Sequence, residues 1–335
     1  MRKVTLRGGG GIAAILMAAI LLVAMSGGRV TAQSFDLHHT DHAITIERLG
    51  KTVLVYNLQS PPLPAGMDPI YRRSGFLHPV CSPQGICVTD TFPADHPHQH
   101  GIFSAWVRTV QEGRAVDFWN LAGGTGRVLH DRIVNTSNTA DLTGFEVELL
   151  HRVETEPSTD VLRERWKVTM LATDASYHGF DLETHQSVIG EQSLAIDKYH
   201  YGGVAVRGPV AWITGEEPLP AGLSDSGREP SHFLNDLGSD RIAGNHQHAK
   251  WVALAGSKDG QAVNIAMLCH AENFRAPQAA RLHPTKPYFC FAPCVDGAFT
   301  IDSAHPYRAK YRFLVTDNLP DASWLDEQWR QWCGR

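Results

Sequence analysis

Residues 90–106 read DTFPADHPHQHGIFSAW and set His96, His98 and His100 at alternate positions ahead of Gly101. In an extended segment alternate side chains share a face, about 7 Å apart along the strand. Imidazole exchanges protons near neutral pH, so such a run can supply general acids and bases. If the chain bends, the same histidines can share one metal, with a third or fourth ligand from Glu183, His185, His200 or His270. Pro97 argues for an edge, a bulge or a loop, and Gly101 for a tight turn or a close backbone approach. The bland alternative is a solvated, histidine-rich loop.

Three further clusters carry polar chemistry. DFWNLAGGTGRVLH contains Asp117, Trp119 and Asn120, a combination that suits a sugar: the ring stacks on indole while carboxylate and amide bind hydroxyls. Trp106, at the end of the histidine segment, is a second stacking candidate. YHYGGVAVRG brings Tyr201 and Arg207 near one rim, and Arg207 among small and apolar neighbours needs a partner. That partner is a substrate oxygen or, on the plainer reading, a structural salt bridge. CHAENFRAP closes an apolar strand with His270, Glu272, Asn273 and Arg275, the composition of a pocket lip. GGTG lacks the lysine and the spacing of a phosphate loop, and nucleophile-elbow, Walker and HExxH motifs are missing from the sequence.

Strands must position these residues. HAITIERLGKTVLVYNL alternates around a turn at LGK, and GFLHPVCSPQGICVTD forms two short arms around Pro83-Gln84-Gly85. Further strand candidates are GFEVELLHRVE, VLRERWKVTMLA, HGFDLETHQSVI, GGVAVRGPVAW, KWVALAG, AVNIAMLCH, PYFCFAP, FTIDS and AKYRFLVTD. Turn residues recur between them about every ten positions, the pattern of an all-β antiparallel sandwich. The clearest helix is terminal, DASWLDEQWRQWCG, capped by Asp321 or Ser323, with tryptophans expected to cover the sandwich edge. Residues 216–245 read as one long excursion between strands.

Composition sets the frame. The chain has 335 residues, 43% hydrophobic and 19% charged, with net charge −5. That balance gives no electrostatic reason to expect nucleic acid. MRKVTLR, an apolar run and SGGRVTA together make a secretory signal peptide, residues 1–32, with a retained N-terminal anchor as the alternative. One domain over residues 33–335 then accounts for the rest, in a periplasmic or secreted protein that touches no membrane after cleavage. Six cysteines in an exported chain permit disulfides. Cys81 with Cys87 and Cys290 with Cys294 are the local candidates, against buried free thiols.

The order LHPV, VTDTFPADHPHQHGIFSAW, DFWN, GRVLH, YGGVAVR and HAENFRAP resembles the PmoA-like family of exported bacterial proteins, over about Tyr71 to Trp332. That family's pattern runs close to H-P-H-H-R-G and D-H-P-x-N-x-R. His96, His98, Gly101, His270, Asn273 and Arg275 match it, while Gln99, His100 and Cys269 depart from it. The family label points to methane oxygenation, but such a copper oxygenase subunit needs several spans and this chain offers one apolar segment. The resemblance implies a galactose-mutarotase-like sandwich with a sugar cleft.

Together these readings give a carbohydrate-active protein of epimerase, hydrolase or lyase type, taking a small-molecule or oligosaccharide ligand without a cofactor. His96 or His98 is expected to donate a proton, and Glu272, Glu183 or Asp117 to accept one, with His270 a further candidate. Trp106, Trp119, Tyr201, His100, Asn273, Arg207 and Arg275 would bind the sugar. The alternatives are a metal enzyme using His96, His98 and His100, and a non-catalytic sugar-binding or envelope module. The acid–base reading requires all of these clusters to meet in one cleft.

Overall fold

The computed structural model describes residues 35–139, 141–215, 227–229 and 231–334. The signal segment lies outside the described residues. The architecture is an all-β antiparallel sandwich with one short C-terminal helix. The first sheet has eight strands, in spatial order Asp36–His39, Ala43–Arg48, Lys51–Asn57, Phe76–Val80, Ile102–Ala105, Gly203–Arg207, Tyr288–Phe291 and Ala280–Leu282. The second runs His232–Asn235, Trp251–Lys258, Gln261–Cys269, Tyr307–Thr316, Tyr177–Val188, Thr159–Met170, Thr143–Val153 and Gly126–Asn138. A small third sheet joins Phe299–Ile301, Leu194–Ile196, Thr109–Gln111 and Arg114–Val116.

Alternation explains the second sheet. Along Thr159–Met170 the side chains of Leu162, Glu164, Trp166 and Val168 are buried while Arg165 and Lys167 are exposed. The outward face is therefore a lattice of charges: Glu148 takes Arg132, Arg163 and Arg165, and Asp181 takes Arg312. Inward residues meet the first sheet. Phe291 stacks on Tyr311 with ring centroids 5.9 Å apart, and Ser104 accepts from Gln186. Buried Glu164 is satisfied by His151, Trp166 and Thr184, so the core tolerates its charge.

The hairpin turn falls at Leu49-Gly50, both with positive φ, and the arms around Pro83-Gln84-Gly85 meet at a bridge between Cys81 and Cys87. All six cysteines are free thiols. The helix spans Ala322–Cys333, capped by Asp321 accepting from the Trp324 amide and ended by Gly334 in the left-handed region. It covers a face of the second sheet rather than its edge: Leu325 and Trp329 pack with Trp251, Ala253, Ala266, Leu268 and Leu314.

Two strands depart from expectation. Gly126–Asn138 absorbs GRVLH, whose alternation is broken by irregularities at His130/Arg132 and Ile133/Asn135. The expected excursion 216–245 contains the edge strand His232–Asn235, too short to leave a periodic signal.

Candidate functional site

The floor of the site is the face of the first sheet that looks away from the second. Directly opposed residues of neighbouring strands share a face. Register therefore puts Phe103, Ala205, Cys290 and Arg281 in one row across four strands. The adjacent row on that face is Gly101, Arg207, Tyr288 and His283. Arg207 opposes Tyr288 and donates its amide to the Gly101 carbonyl, while the His283 amide bonds the Tyr288 carbonyl. Trp119 covers both rows, its ring 4.6 Å from Phe103 and 5.9 Å from Tyr288 between centroids.

The histidine segment folds over the second row as a succession of turns, as Pro97 foretold, and is not a strand. Gly101 explains how it can. Its φ is 49°, and a Cβ there would collide with the Leu77 carbonyl, so the backbone approaches as only glycine allows. The segment is tied down by Asp95, whose two carboxylate oxygens receive Nη2 and Nη1 of Arg207 at 2.9 and 3.1 Å. Arg207 is fully buried, and Gln99 Oε1 accepts from its Nη1 as well. Lys286 Nζ stands 3.8 Å from the same carboxylate. The plainer reading of Arg207 is thus the observed one: its guanidinium is held by Asp95 and Gln99.

Asp95 also orients His96. Burial pushes the Asp95 carboxyl up, but the His96 hydrogen bond and Arg207 outweigh it and hold the group well below the usual carboxylate range. An ionised carboxylate only accepts, so the 3.1 Å contact fixes the proton on His96 Nδ1 and leaves Nε2 for substrate. His283 has the opposite arrangement. Its Nδ1 accepts from the Lys286 amide at 3.0 Å and the Thr285 amide at 3.2 Å, so the neutral ring carries its proton on Nε2. Burial, with help from Arg281 and His96, pulls His283 down to about 3, and burial next to His96 and Arg207 pulls His98 down to about 4. The His96 ring lies 6.0 Å from His283 and 5.6 Å from His98 between centroids. At neutral pH His98 and His283 are uncharged imidazoles beside cations.

The remaining expected residues separate into groups. His100 is fully buried against Phe76, Phe92 and Phe103, with Nδ1 on the Thr91 hydroxyl, so it does not join His96 and His98. Among the described residues no cluster of three or more His, Cys, Asp or Glu side chains is arranged to hold a metal. Trp106 is fully buried and bonds Gln186 through Nε1; it is a core residue. Trp119 is equally buried and presents no open stacking face. Asp117 spends Oδ1 on the amides of Trp119 and Asn120, and Oδ2 on the Asn120 side chain. It builds a turn, and the turn carries Asn120 to the Tyr201 hydroxyl at 3.2 Å.

Glu183, Glu272 and Asn273 line a different place, a shallow groove of about 330 Å³ on the outward face of the second sheet, with Arg165, Lys167 and Lys310. Glu183 projects there between Lys167 and Lys310, both 3.9 Å away. Glu272 is largely exposed, 3.8 Å from His270, whose ring packs on Trp332. Asn273 braces the turn by exchanging hydrogen bonds with the Lys310 backbone. Arg275 clamps the carbonyls of Pro293, Gly297 and Ala298. His96 and these acids lie on opposite outer faces of the sandwich, so the expected meeting in one cleft does not occur. The reason is periodicity: Glu183 occupies an outward position of its strand, and sequence alternation does not say which sheet a strand joins.

Asp95, His283 and Lys286 complete the site without having been singled out from sequence. Asp95 adjoins His96 in the motif, and an acid beside an alternating histidine run was the available signal. His283 and Lys286 sit in RLHPTKP, which carries no spacing of its own.

The sequence between residues 43 and 330 matches one family model, that of a family of unknown function, DUF6807. The chain belongs to this family. No curated protein matches it. Solved structures similar to this DUF6807 chain include a putative kojibiose phosphorylase from human microbiome, at 10% identity and TM-score 0.29 over 91% of this chain and 33% of that one. Heparan sulfate lyase HepC from Pedobacter heparinus is similar at 10% identity and TM-score 0.35, covering 87% and 36%. An alpha-galactosidase from Lactobacillus brevis is similar at 9% identity and TM-score 0.33, covering 84% and 39%. The chain thus spans between 33% and 39% of the length of these three.

Proposed function

We propose that this protein is an exported carbohydrate-active enzyme in which His96 is the base and the neutral His283 the hydrogen-bond donor to a substrate oxygen. The observation that carries the reading is the contrast in partners at the two Nδ1 atoms, a carboxylate at His96 and backbone amides at His283. His96 presents a lone pair at Nε2 because Asp95 holds its Nδ1 proton, and His283 presents a proton at Nε2 because backbone amides occupy its Nδ1. His96 can take a proton while the uncharged His283 donates a hydrogen bond to a substrate oxygen and polarises it, a pairing that suits proton abstraction beside that oxygen, as in epimerisation or elimination. This moves the acceptor role from Glu272, Glu183 or Asp117 to His96, and the donor role to His283.

A sugar is supported by the polar and aromatic groups that continue from the pair. Tyr288, beside His283, is buried with its hydroxyl on Cys290 Sγ, whereas Tyr201, beside Trp119, and Asn120 are partly exposed and bond one another. Hydroxyl and amide groups of this kind read sugar hydroxyls. The arrangement of a signal over residues 1–32 and one domain over 33–335 belongs to the same proposal. So does the relationship to PmoA-like proteins, which rests on motif order. A metal at His96 and His98 is disfavoured by the cations Arg207 and Lys286 that already flank Asp95.

The test is a panel of free sugars, glycosides and uronides followed by NMR with wild-type protein, His96→Ala and His283→Gln. Turnover lost in both variants supports the reading. Turnover that survives in both, or saturable binding with no turnover of any panel member, overturns it in favour of another site or a binding module.

A further inference from the structure

Polar atoms that are buried without a hydrogen-bond partner gather along the Phe103 row. Arg73, with its guanidinium 5.0 Å from the centre of the Phe103 ring, leaves Nε and Nη1 unpartnered. Trp119, tilted against the same ring, leaves Nε1; His100, edge-on to it, leaves Nε2; and Arg281, at the far end of the row, leaves Nε. Three of these four residues can only donate there. A buried donor without an acceptor is costly, and native proteins provide partners for nearly all such groups.

Arg281 is the member of this set that reaches solvent. Its Nη1 meets only neutral acceptors, the Asn245 amide oxygen and the Leu282 carbonyl, and no described carboxylate is in ion-pair contact with it. Arg207, one row away, is in contrast matched by Asp95. Arg241 adds a second cation whose hydrogen bonds, among the described residues, go to the Ser231, His283 and Lys286 carbonyls and the Ser231 hydroxyl, with its guanidinium over the Phe233 ring. Ala205 and Cys290 keep the middle of the row low. Two positions separate Arg281 from His283, so both project to the same side, about 7 Å apart.

We infer that the ligand is an acidic sugar, whose carboxylate or sulfate ester is received by Arg281 while the neighbouring ring carbon faces His96 and His283. The inference rests on the acid–base reading of the site. It adds the substrate class: an anionic group beside an unmatched guanidinium, which binds carboxylate or sulfate in a charge-assisted, forked geometry.

Calorimetric titration of the mature chain tests this with galactose, galacturonate and galactose 6-sulfate, and with the corresponding glucose series. An acidic probe is expected to bind at least ~10-fold more tightly than its neutral parent, and Arg281→Gln to remove that preference. Arg281→Lys, which keeps the charge on a slimmer side chain, is expected to retain part of it. The uronate and sulfate arms identify which anion is read. Neutral sugars binding as tightly as both acids, an Arg281→Gln variant with unchanged preference, or no binding by any probe overturns the inference. His96-dependent turnover of a neutral sugar would sink the substrate class and leave the acid–base reading standing. Arg281-dependent binding of an acid without turnover would do the reverse.

Discussion

His96 hydrogen bonds through Nδ1 to the same carboxylate of Asp95 that receives both terminal nitrogens of the buried Arg207 guanidinium. One aspartate thus fixes a reactive imidazole and neutralises a cation inside the protein.

Asp95→Asn keeps the size of the side chain but removes its charge, so it leaves Arg207 buried and unmatched. Breaking one partner of such a pair costs roughly 3–5 kcal/mol, whereas replacing both with apolar groups costs less. Chemical denaturation is expected to show Asp95→Asn as more destabilised than the double variant Asp95→Leu with Arg207→Met. Equal losses would mean that the pair contributes packing alone.

Acid should weaken the fold in a defined window. His78, His98 and His283 sit near 4, 4 and 3 in the folded chain because burial disfavours their charged forms, against 6.5 for a free imidazole. Below 6.5 the unfolded chain binds more protons than the folded one, so stability falls as pH drops and the loss from these groups ends once the folded values are passed. Each buried histidine can contribute up to about 1.4 kcal/mol per pH unit within that window. Denaturation midpoints at pH 7, 5.5 and 4.5 should decline, and His283→Gln should flatten the slope. A midpoint that rises on acidification would contradict the burial argument.

The sequence carried the fold further than the site. Period-two alternation in HAITIERL, VLRERWKVTM and AKYRFLVTD identifies strands because one face of each is buried, and that pattern is local. Gly101 and Pro97 likewise announce a turn wherever they occur. What brings His283 to His96 is strand order, with Gly203–Arg207 lying between Ile102–Ala105 and Tyr288–Phe291, and no local pattern encodes neighbours so distant in sequence. The same limit explains Trp106 and Trp119. An indole that fills a core and one that stacks on a sugar have the same letter and similar neighbours.

Gly101→Ala tests whether the histidine segment is seated by backbone contact. The substitution forces a Cβ against the Leu77 carbonyl at a position with φ of 49°. A loss of about 2 kcal/mol or more is expected, beyond the usual glycine-to-alanine effect. Gly85→Ala, also at positive φ but with open space around it, should cost less. Equal costs would show that conformation, and not contact, dominates at Gly101.

Thiol chemistry should single out Cys87. It faces Cys81 across an isolated bridge, is partly exposed, and is pulled down by a hydrogen bond from Cys81, whereas burial pushes Cys269 and Cys290 up. Thiolate fraction and access together set reactivity. Iodoacetamide at neutral pH, followed by peptide mass mapping, is expected to label Cys87 first and to leave Cys269 and Cys290 unlabelled until denaturant is added. Early labelling of Cys269 would mean that the turn under the C-terminal helix opens in the native state.

Glu183 and Glu272 decide between the site drawn from sequence and the one drawn from the fold. Both were natural bases for a histidine acid, yet they stand on the outward face of the second sheet, among Arg165, Lys167 and Lys310. Exposed pairs of that kind contribute about 0–1 kcal/mol. Glu183→Gln and Glu272→Gln are therefore expected to shift the denaturation midpoint slightly and to leave galacturonate binding unchanged, because neither side chain can reach a ligand held between Arg281 and His283. His283→Gln and Arg281→Gln should weaken that binding instead, His283→Gln less than Arg281→Gln since it removes a neutral donor and not a charge. If Glu183→Gln or Glu272→Gln lowers the affinity while Arg281→Gln does not, the ligand occupies the charged groove of the second sheet and the functional face of the sandwich is the other one.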